Sequence, residues 1–130
     1  MSNDRPRGWL LLLSAYLLVW VPLNFAAELA AVLPSVSVRG AAAGIELLVH
    51  GGVAALAFAA GWAIRSGNED ALRFASVAVG VSTFTAIQSL FWSSLPSQTM
   101  PGDHVPLAVL YAAHGFAWLW YLRRRARVCR

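Results

Sequence analysis

Four titratable side chains interrupt long apolar stretches of this sequence: Glu28, Glu46, His50 and His114. A charged group costs roughly 2.5–3.5 kcal/mol in the middle of a membrane-spanning helix unless it is paired or hydrated. Carboxylates and imidazoles are also the groups that proteins use to transfer protons and to bind metal ions. These four positions are therefore the first candidates for a functional site.

Polar residues occur in pairs at helical spacing in each of the four apolar stretches. The pairs are Asn24 and Glu28, Glu46 and His50, Thr85 and Gln88, and Tyr111 and His114. Residues three or four positions apart share one face of a helix, so each stretch has a polar face. We therefore predict a shared ligand-binding site, open to the outside, made by Asn24, Glu28, Glu46, His50, Gln88, Tyr111 and His114.

The same residues fall at matching depths when each is counted from the nearest predicted helix end. Glu28 lies six residues before Pro34 and Glu46 lies six residues after Gly40. Both are then ~9 Å from the outer boundary at 1.5 Å per residue. Gln88 joins this first layer, and a second layer ~14–15 Å deep contains Asn24, His50 and His114.

The alternative is that these polar groups only satisfy one another. In that case Glu46 pairs with His50, Asn24 binds the carbonyl that Pro22 frees, and His114 binds Gln88 or Glu28. Interhelical hydrogen bonds of this kind fix the register of a bundle without any ligand. For the two deep histidines we expect a closed polar network without metal.

The composition indicates a membrane protein. The chain has 130 residues, of which 58% are hydrophobic and only 12% are charged. A soluble domain has about twice that charged fraction. The formal net charge is +4, but the Arg residues stand at the ends of apolar runs, so we expect contact with lipid headgroups and no nucleic-acid binding.

The apolar runs predict an all-α fold, an integral membrane four-helix bundle with up-down-up-down topology. About 20 residues are needed to cross the hydrocarbon core, and four runs approach or exceed that length. We expect one domain, residues 1–130, with spans at about 9–33, 41–64, 71–94 and 105–122. Pro34 is expected to end the first span and Pro22 to kink it.

The positions of the Arg residues predict the orientation. With four spans, nine of the ten Arg residues lie on one side, and only Arg39 lies on the other. The positive-inside rule then places both termini in the cytoplasm. We expect a multi-pass protein of the bacterial cytoplasmic (inner) membrane.

Three stretches resemble an uncharacterised bacterial family, a domain of unknown function of small four-helix membrane proteins. Gly8-Trp9-Leu10 resembles the opening of that family, and Trp118-Leu119-Trp120-Tyr121 with Arg127-Val128 resembles its close. Glu46 resembles the acidic residue of its second span. The departures are Arg7 in place of Gly and Trp120 in place of Pro. The resemblance implies the four-span topology and no activity.

Three kinds of function are compatible with these residues. The first is an accessory subunit, or a module that binds a small ligand or a lipid, with a polar cavity in the outer half of the bundle. It would have no cofactor. Its partners would be the lipid bilayer and either a partner protein or a second copy of the chain. The second is a redox protein that binds haem b between His50 and His114, or a metal ion at the carboxylates and imidazoles. The third is a proton-coupled transporter or a membrane-embedded acid–base enzyme that uses Glu46 and His50.

Overall fold

The chain folds into four long helices. The computed structural model describes residues 8–95 and 100–128, and these residues contain no strand. The helices are α1 (Trp9–Arg39), α2 (Ala41–Ser66), α3 (Ala71–Phe91) and α4 (His104–Val128). Each of them is long and apolar enough to cross a membrane. The all-helical class and the number of helices agree with the sequence-based prediction.

Helix α1 is irregular along its length. A π-helical segment at Tyr16–Trp20 separates two α-helical segments, Trp9–Ala15 and Val21–Val32. The Val21 N–H reaches the Tyr16 carbonyl, five residues earlier. Pro22 follows directly and has no N–H to donate, so the regular hydrogen-bond pattern is interrupted at this point. The π-helical turn, which is wider than an α-helical turn, lies in the middle of the predicted span.

The regular α-helix ends at Val32, close to the predicted boundary at Pro34, but helical structure continues beyond the proline. A 3-10 turn at Leu33–Ser35 contains the proline, and an α-helical turn, Val36–Arg39, follows. Proline is tolerated in a first turn because the N–H that it lacks would have no partner there. The real break is Gly40, whose φ of 86° is a left-handed value that favours glycine.

The other helix ends also differ from the predicted boundaries. Helix α2 extends to Ser66 and ends in a left-handed Gly67, with the Asn68 N–H bound to the Ala63 carbonyl. Helix α3 stops at Phe91, although its apolar run continues to Ser94. Helix α4 continues beyond residue 122 into the Arg-rich segment. An apolar run thus predicts a span well but a helix end only approximately.

The main core lies at the end of the bundle where α1 begins and α4 ends. Small residues allow close contact here: a Cβ at Gly61 of α2 would lie 2.7 Å from Leu18 Cγ and 3.1 Å from the Ser14 carbonyl oxygen of α1. Close approach of helix backbones at small residues is the usual way that membrane helices pack. The buried residues of this core are Leu10, Leu13, Leu17, Ala57, Ala60, Ala63, Ile64, Ala71, Ala75, Ala78, Val79 and Leu122.

Helix α4 packs along α3 and leaves α1 largely uncovered. Gly115 of α4 lies against the side chain of Thr83, so close that a Cβ at this position would overlap it. The described parts of α1 and α4 meet chiefly through aromatic rings. Trp9 and Trp118 have ring centroids 6.4 Å apart, and the Tyr16 and His114 centroids are 5.4 Å apart.

A second apolar cluster lies at the opposite end of the bundle. Val32 of α1 packs with Ala43 and Leu47 of α2 and with Leu95, which follows α3. The segment after α3 therefore folds back over the connection between α1 and α2. This arrangement covers one end of the space between the helices.

Candidate ligand-binding site

A cavity of about 620 Å³ lies between the four helices. This volume is within the ~300–1,000 Å³ of ordinary ligand pockets. Its polar lining is formed by side chains from every helix, and it includes four of the seven predicted ligand-binding residues. The polar and aromatic lining residues are Tyr16, Trp20, Asn24, Phe25, Glu28, His50, Ser82, Thr85, Ser89 and Tyr111.

Glu28 and His50 form a hydrogen-bonded pair between α1 and α2. His50 Nδ1 lies 2.9 Å from Glu28 Oε2 and 3.1 Å from Oε1. An ionised carboxylate has only acceptors, so Nδ1 carries the hydrogen and donates it. The His50 side chain is 13% exposed and that of Glu28 is 31% exposed. The carboxylate therefore fixes both the tautomer and the orientation of a mostly buried imidazole.

The second nitrogen of His50 is buried and has no hydrogen-bond partner among the described residues. With Nδ1 protonated, Nε2 of a neutral His50 is an acceptor, and Nε2 of a protonated His50 is a donor. Ser82 Oγ, on α3, is also buried without a partner in this part of the chain. Both residues line the cavity, and since buried polar atoms are nearly always paired, we take these two unpaired atoms as the candidates to bond to a ligand or water.

Other polar residues of the lining are satisfied within their own helices. Thr85 Oγ1 donates to the Val81 carbonyl at 2.8 Å, and Ser89 Oγ donates to the Ala86 carbonyl at 2.9 Å. Hydroxyl groups in membrane helices often bind the preceding turn in this way. These residues make the cavity wall polar, but they are not its unsatisfied groups.

Asn24 lines the cavity and binds a different carbonyl from the one expected. Its Nδ2 donates to the Trp20 carbonyl at 2.8 Å. The carbonyl that Pro22 leaves without an α-helical partner is that of Leu18. The π-helical segment before the proline changes the backbone hydrogen bonds in this region, and the Asn24 side chain binds a carbonyl one turn earlier in its own helix.

Glu46 is directed away from the cavity lining and binds the segment after α3. Its Oε1 accepts a hydrogen bond from Ser93 Oγ at 2.6 Å, and its Oε2 accepts one from the Ser94 N–H at 2.7 Å. The expected pairing of Glu46 with His50 is not formed, because His50 binds Glu28 instead. Glu46 thus holds the chain that covers the end of the bundle.

The remaining predicted residues are divided between the cavity and the surface. Tyr111 lines the cavity and is 37% exposed. Gln88 is outside the lining and its Nε2 donates to the Trp92 carbonyl at 3.1 Å. His114 is exposed and outside the lining, with its ring against Tyr16 and Trp118. The structure therefore does not bring His114 to the same site as His50.

The two predicted haem ligands do not line one cavity, because His50 is part of the lining and His114 is outside it. Within residues 8–95 and 100–128, no three His, Cys, Asp or Glu side chains come close enough to hold a metal ion. Of the glycines beside these histidines, Gly51 faces the Phe25 ring, with 3.1 Å from a Cβ position to Cζ, and Gly115 faces Thr83, whereas Gly52 has nothing within 4 Å.

Sequence reasoning did not include Tyr16, Trp20 or Ser82 in the site. Ser82 had a visible signal, since it lies on the same polar stripe of α3 as Thr85 and Ser89 at helical spacing. The sequence contains no such signal for Tyr16 and Trp20, because aromatic residues in an apolar run usually face the lipid or the protein core. Their position depends on the π-helical segment, which changes the helix phase ahead of Pro22.

Comparison with known proteins adds no further identification. No protein-family model, no curated protein and no solved structure matches this chain. The similarity of its two ends to a family of small four-helix membrane proteins therefore remains a resemblance in a few residues. The function must be argued from the cavity and its side chains.

Proposed function

We propose that this chain is a multi-pass membrane protein that binds a small ligand in the cavity between its helices. The observation that carries the proposal is the buried, unpartnered Nε2 of His50, whose ring is held by Glu28. Ser82 Oγ supplies a second unsatisfied group on the same cavity. A ligand that bonds to both atoms would remove the cost of leaving them buried and unpaired.

The position in the membrane follows from the charges flanking the helices. We infer that both termini and the connection between α2 and α3 face the cytoplasm, because nine of the ten Arg residues lie on that side. The cavity then lies in the outer half of the bundle, within the cytoplasmic membrane of a bacterium. Lipid surrounds the helices, whose outer faces are largely apolar and exposed.

The proposal is tested by native mass spectrometry of protein released from membranes in mild detergent. We expect the wild-type protein to carry a bound small molecule and His50→Ala to lose it. Phe84→Ala is the control, because it removes an exposed ring that is outside the cavity lining. Equal loss in both variants, or no bound species in the wild-type protein, would contradict the proposed site.

A second candidate function is acid–base chemistry on the bound ligand. It is favoured by one feature, the carboxylate on Nδ1 that leaves Nε2 of a neutral His50 free to take a proton. The pair would then be Glu28 and His50 rather than Glu46 and His50. Glu28→Gln would keep the hydrogen bond but remove the charge that stabilises the imidazolium. Under this candidate, ligand turnover falls in Glu28→Gln while ligand binding is retained.

A further inference from the structure

The side of the cavity between α1 and α4 is its least covered side. The lining residues of α2 and α3 are buried or half-buried, whereas four of the nine contributed by α1 are exposed. Trp20 is 58% exposed, and Asn24, Ala27 and Ala31 follow it along the same helix face. Helix α4 contributes only Tyr111 among the described residues. The cavity is therefore open along the gap between α1 and α4.

One end of this gap is closed by contacts between α1 and α4, and the opposite end of the cavity is covered by the segment after α3. At the end where α1 begins, Trp9 meets Trp118 and Tyr16 meets His114. At the other end, Val32 lines the cavity and also packs against Leu95, in the segment that Glu46 holds. The open stretch lies between these two closures, at the depth of the hydrocarbon core. A ligand that enters here comes from the lipid rather than from water.

The charge of the lining restricts the polar head of such a ligand. The described lining contains the Glu28 carboxylate and no Arg or Lys. The Glu28–His50 pair has a net charge of −1 when His50 is neutral and zero when it is protonated. While His50 is neutral, a phosphate group would therefore meet a carboxylate without a compensating cation. A neutral head could instead donate a hydroxyl hydrogen to His50 Nε2 and accept the hydrogen of Ser82 Oγ at a hydroxyl or carbonyl oxygen.

We infer that the ligand is a neutral amphiphile that enters laterally from the bilayer between α1 and α4, with its polar head on His50 and Ser82. This inference rests on the proposed ligand-binding function and names the class of ligand. A neighbouring protein helix is a poorer occupant, because an apolar helix covering the gap would leave both buried atoms unpaired. Aromatic rings at Trp20 and Tyr111 would flank the apolar part of the amphiphile.

The inference is tested with photoactivatable lipids in phosphatidylcholine vesicles that contain the purified protein. One probe is a diazirine diacylglycerol, which has a neutral hydroxyl head. The second is the phosphatidic acid with the same chains, which has an anionic head. Crosslinked peptides are mapped by mass spectrometry. We expect the diacylglycerol to label the peptides of Trp20 and Tyr111 about fivefold more than the phosphatidic acid does, equivalent to ~1 kcal/mol.

A matched pair of variants examines the route of entry. Ala27→Trp places a large ring at the gap, whereas Ala26→Trp places the same ring on an exposed position outside the lining. We expect the first variant to reduce diacylglycerol labelling to the level of the phosphatidic acid and the second to leave it unchanged. His50→Ala should also reduce the labelling, which ties the signal to the polar head.

Four results would overturn the inference. Equal labelling by both lipids would contradict the argument from head-group charge. Labelling unaffected by Ala27→Trp would contradict entry through the gap. If neither lipid is enriched at the cavity while native mass spectrometry still finds a species that depends on His50, the ligand is not a neutral lipid. In that last case the proposed ligand-binding function stands. Crosslinks between two protein chains across the gap would assign it to a subunit interface instead.

Discussion

A double-mutant cycle on Glu28 and His50 tests the central pair of this structure. Glu28→Ala, His50→Ala and the double variant are compared by their free energies of unfolding. The two side chains interact directly at 2.9 Å, so their substitutions should not be additive. The structure predicts a favourable coupling energy for this pair and none for the pair that helical spacing favours, Glu46 and His50.

The size of the coupling follows from the environment of the two groups. Side-chain hydrogen bonds between membrane helices average ~0.6 kcal/mol in such cycles and reach ~1.7 kcal/mol. The carboxylate strengthens this bond, and His50 is only 13% exposed, but Glu28 is 31% exposed, which weakens it. We therefore expect ~1 kcal/mol, measured by unfolding in mixed detergent micelles or by steric trapping.

The control cycle decides between the structure and the spacing argument. Glu46→Ala combined with His50→Ala should be additive to within ~0.3 kcal/mol, because the two residues have separate partners. A coupling near zero for Glu28 and His50, or a coupling of ~1 kcal/mol for Glu46 and His50, would refute the pairing described here.

Three further predictions concern packing, the covering segment and topology. Gly61→Ala should lower the free energy of unfolding by ~1–3 kcal/mol by overpacking, while Gly52→Ala, which meets nothing within 4 Å, should not lower it. Glu46→Ala should speed amide hydrogen exchange at Leu95 about tenfold, for a loss of ~1.4 kcal/mol in local stability. Cys129, outside the described residues, should react with an impermeant maleimide only in broken cells, and labelling in intact cells would reverse the proposed orientation.

The number of helices was predictable because a membrane imposes it. Spanning ~30 Å takes about 20 apolar residues whatever their identity, so four apolar runs predict four helices. The polar faces were also predictable, since Asn24, Glu28, His50 and Tyr111 all line the cavity. Helical periodicity alone identifies which residues share a face, and it requires no knowledge of the partner helix.

Which polar faces contact one another was not predictable, because this depends on where the chain turns between α1 and α2. Counting from Pro34 and Gly40 sets Glu28 level with Glu46. In the structure α1 passes through Pro34 and turns only at Gly40, so its residues are displaced along α2. Glu28, twelve residues before Gly40, then meets His50, ten residues after it. The helical turn beyond Pro34 therefore gives both Glu28 and His50 a different partner from the predicted one.

The direction of each polar face depends on which glycine makes the close contact. At 100° per residue, His50 lies ~20° from Gly61, whose face packs on α1, so its ring is directed towards Glu28. On α4, Tyr111 lies ~40° from Gly115, which packs on Thr83, and so faces the cavity. His114 lies ~100° from the same glycine and is exposed outside the lining, with its ring against Tyr16 and Trp118. The sequence contains several glycines that could serve as contact points, and it does not distinguish those that pack, such as Gly61 and Gly115, from those that face open space. A polar stripe thus predicts that residues share a face, whereas the contact glycine determines which of them reach the cavity.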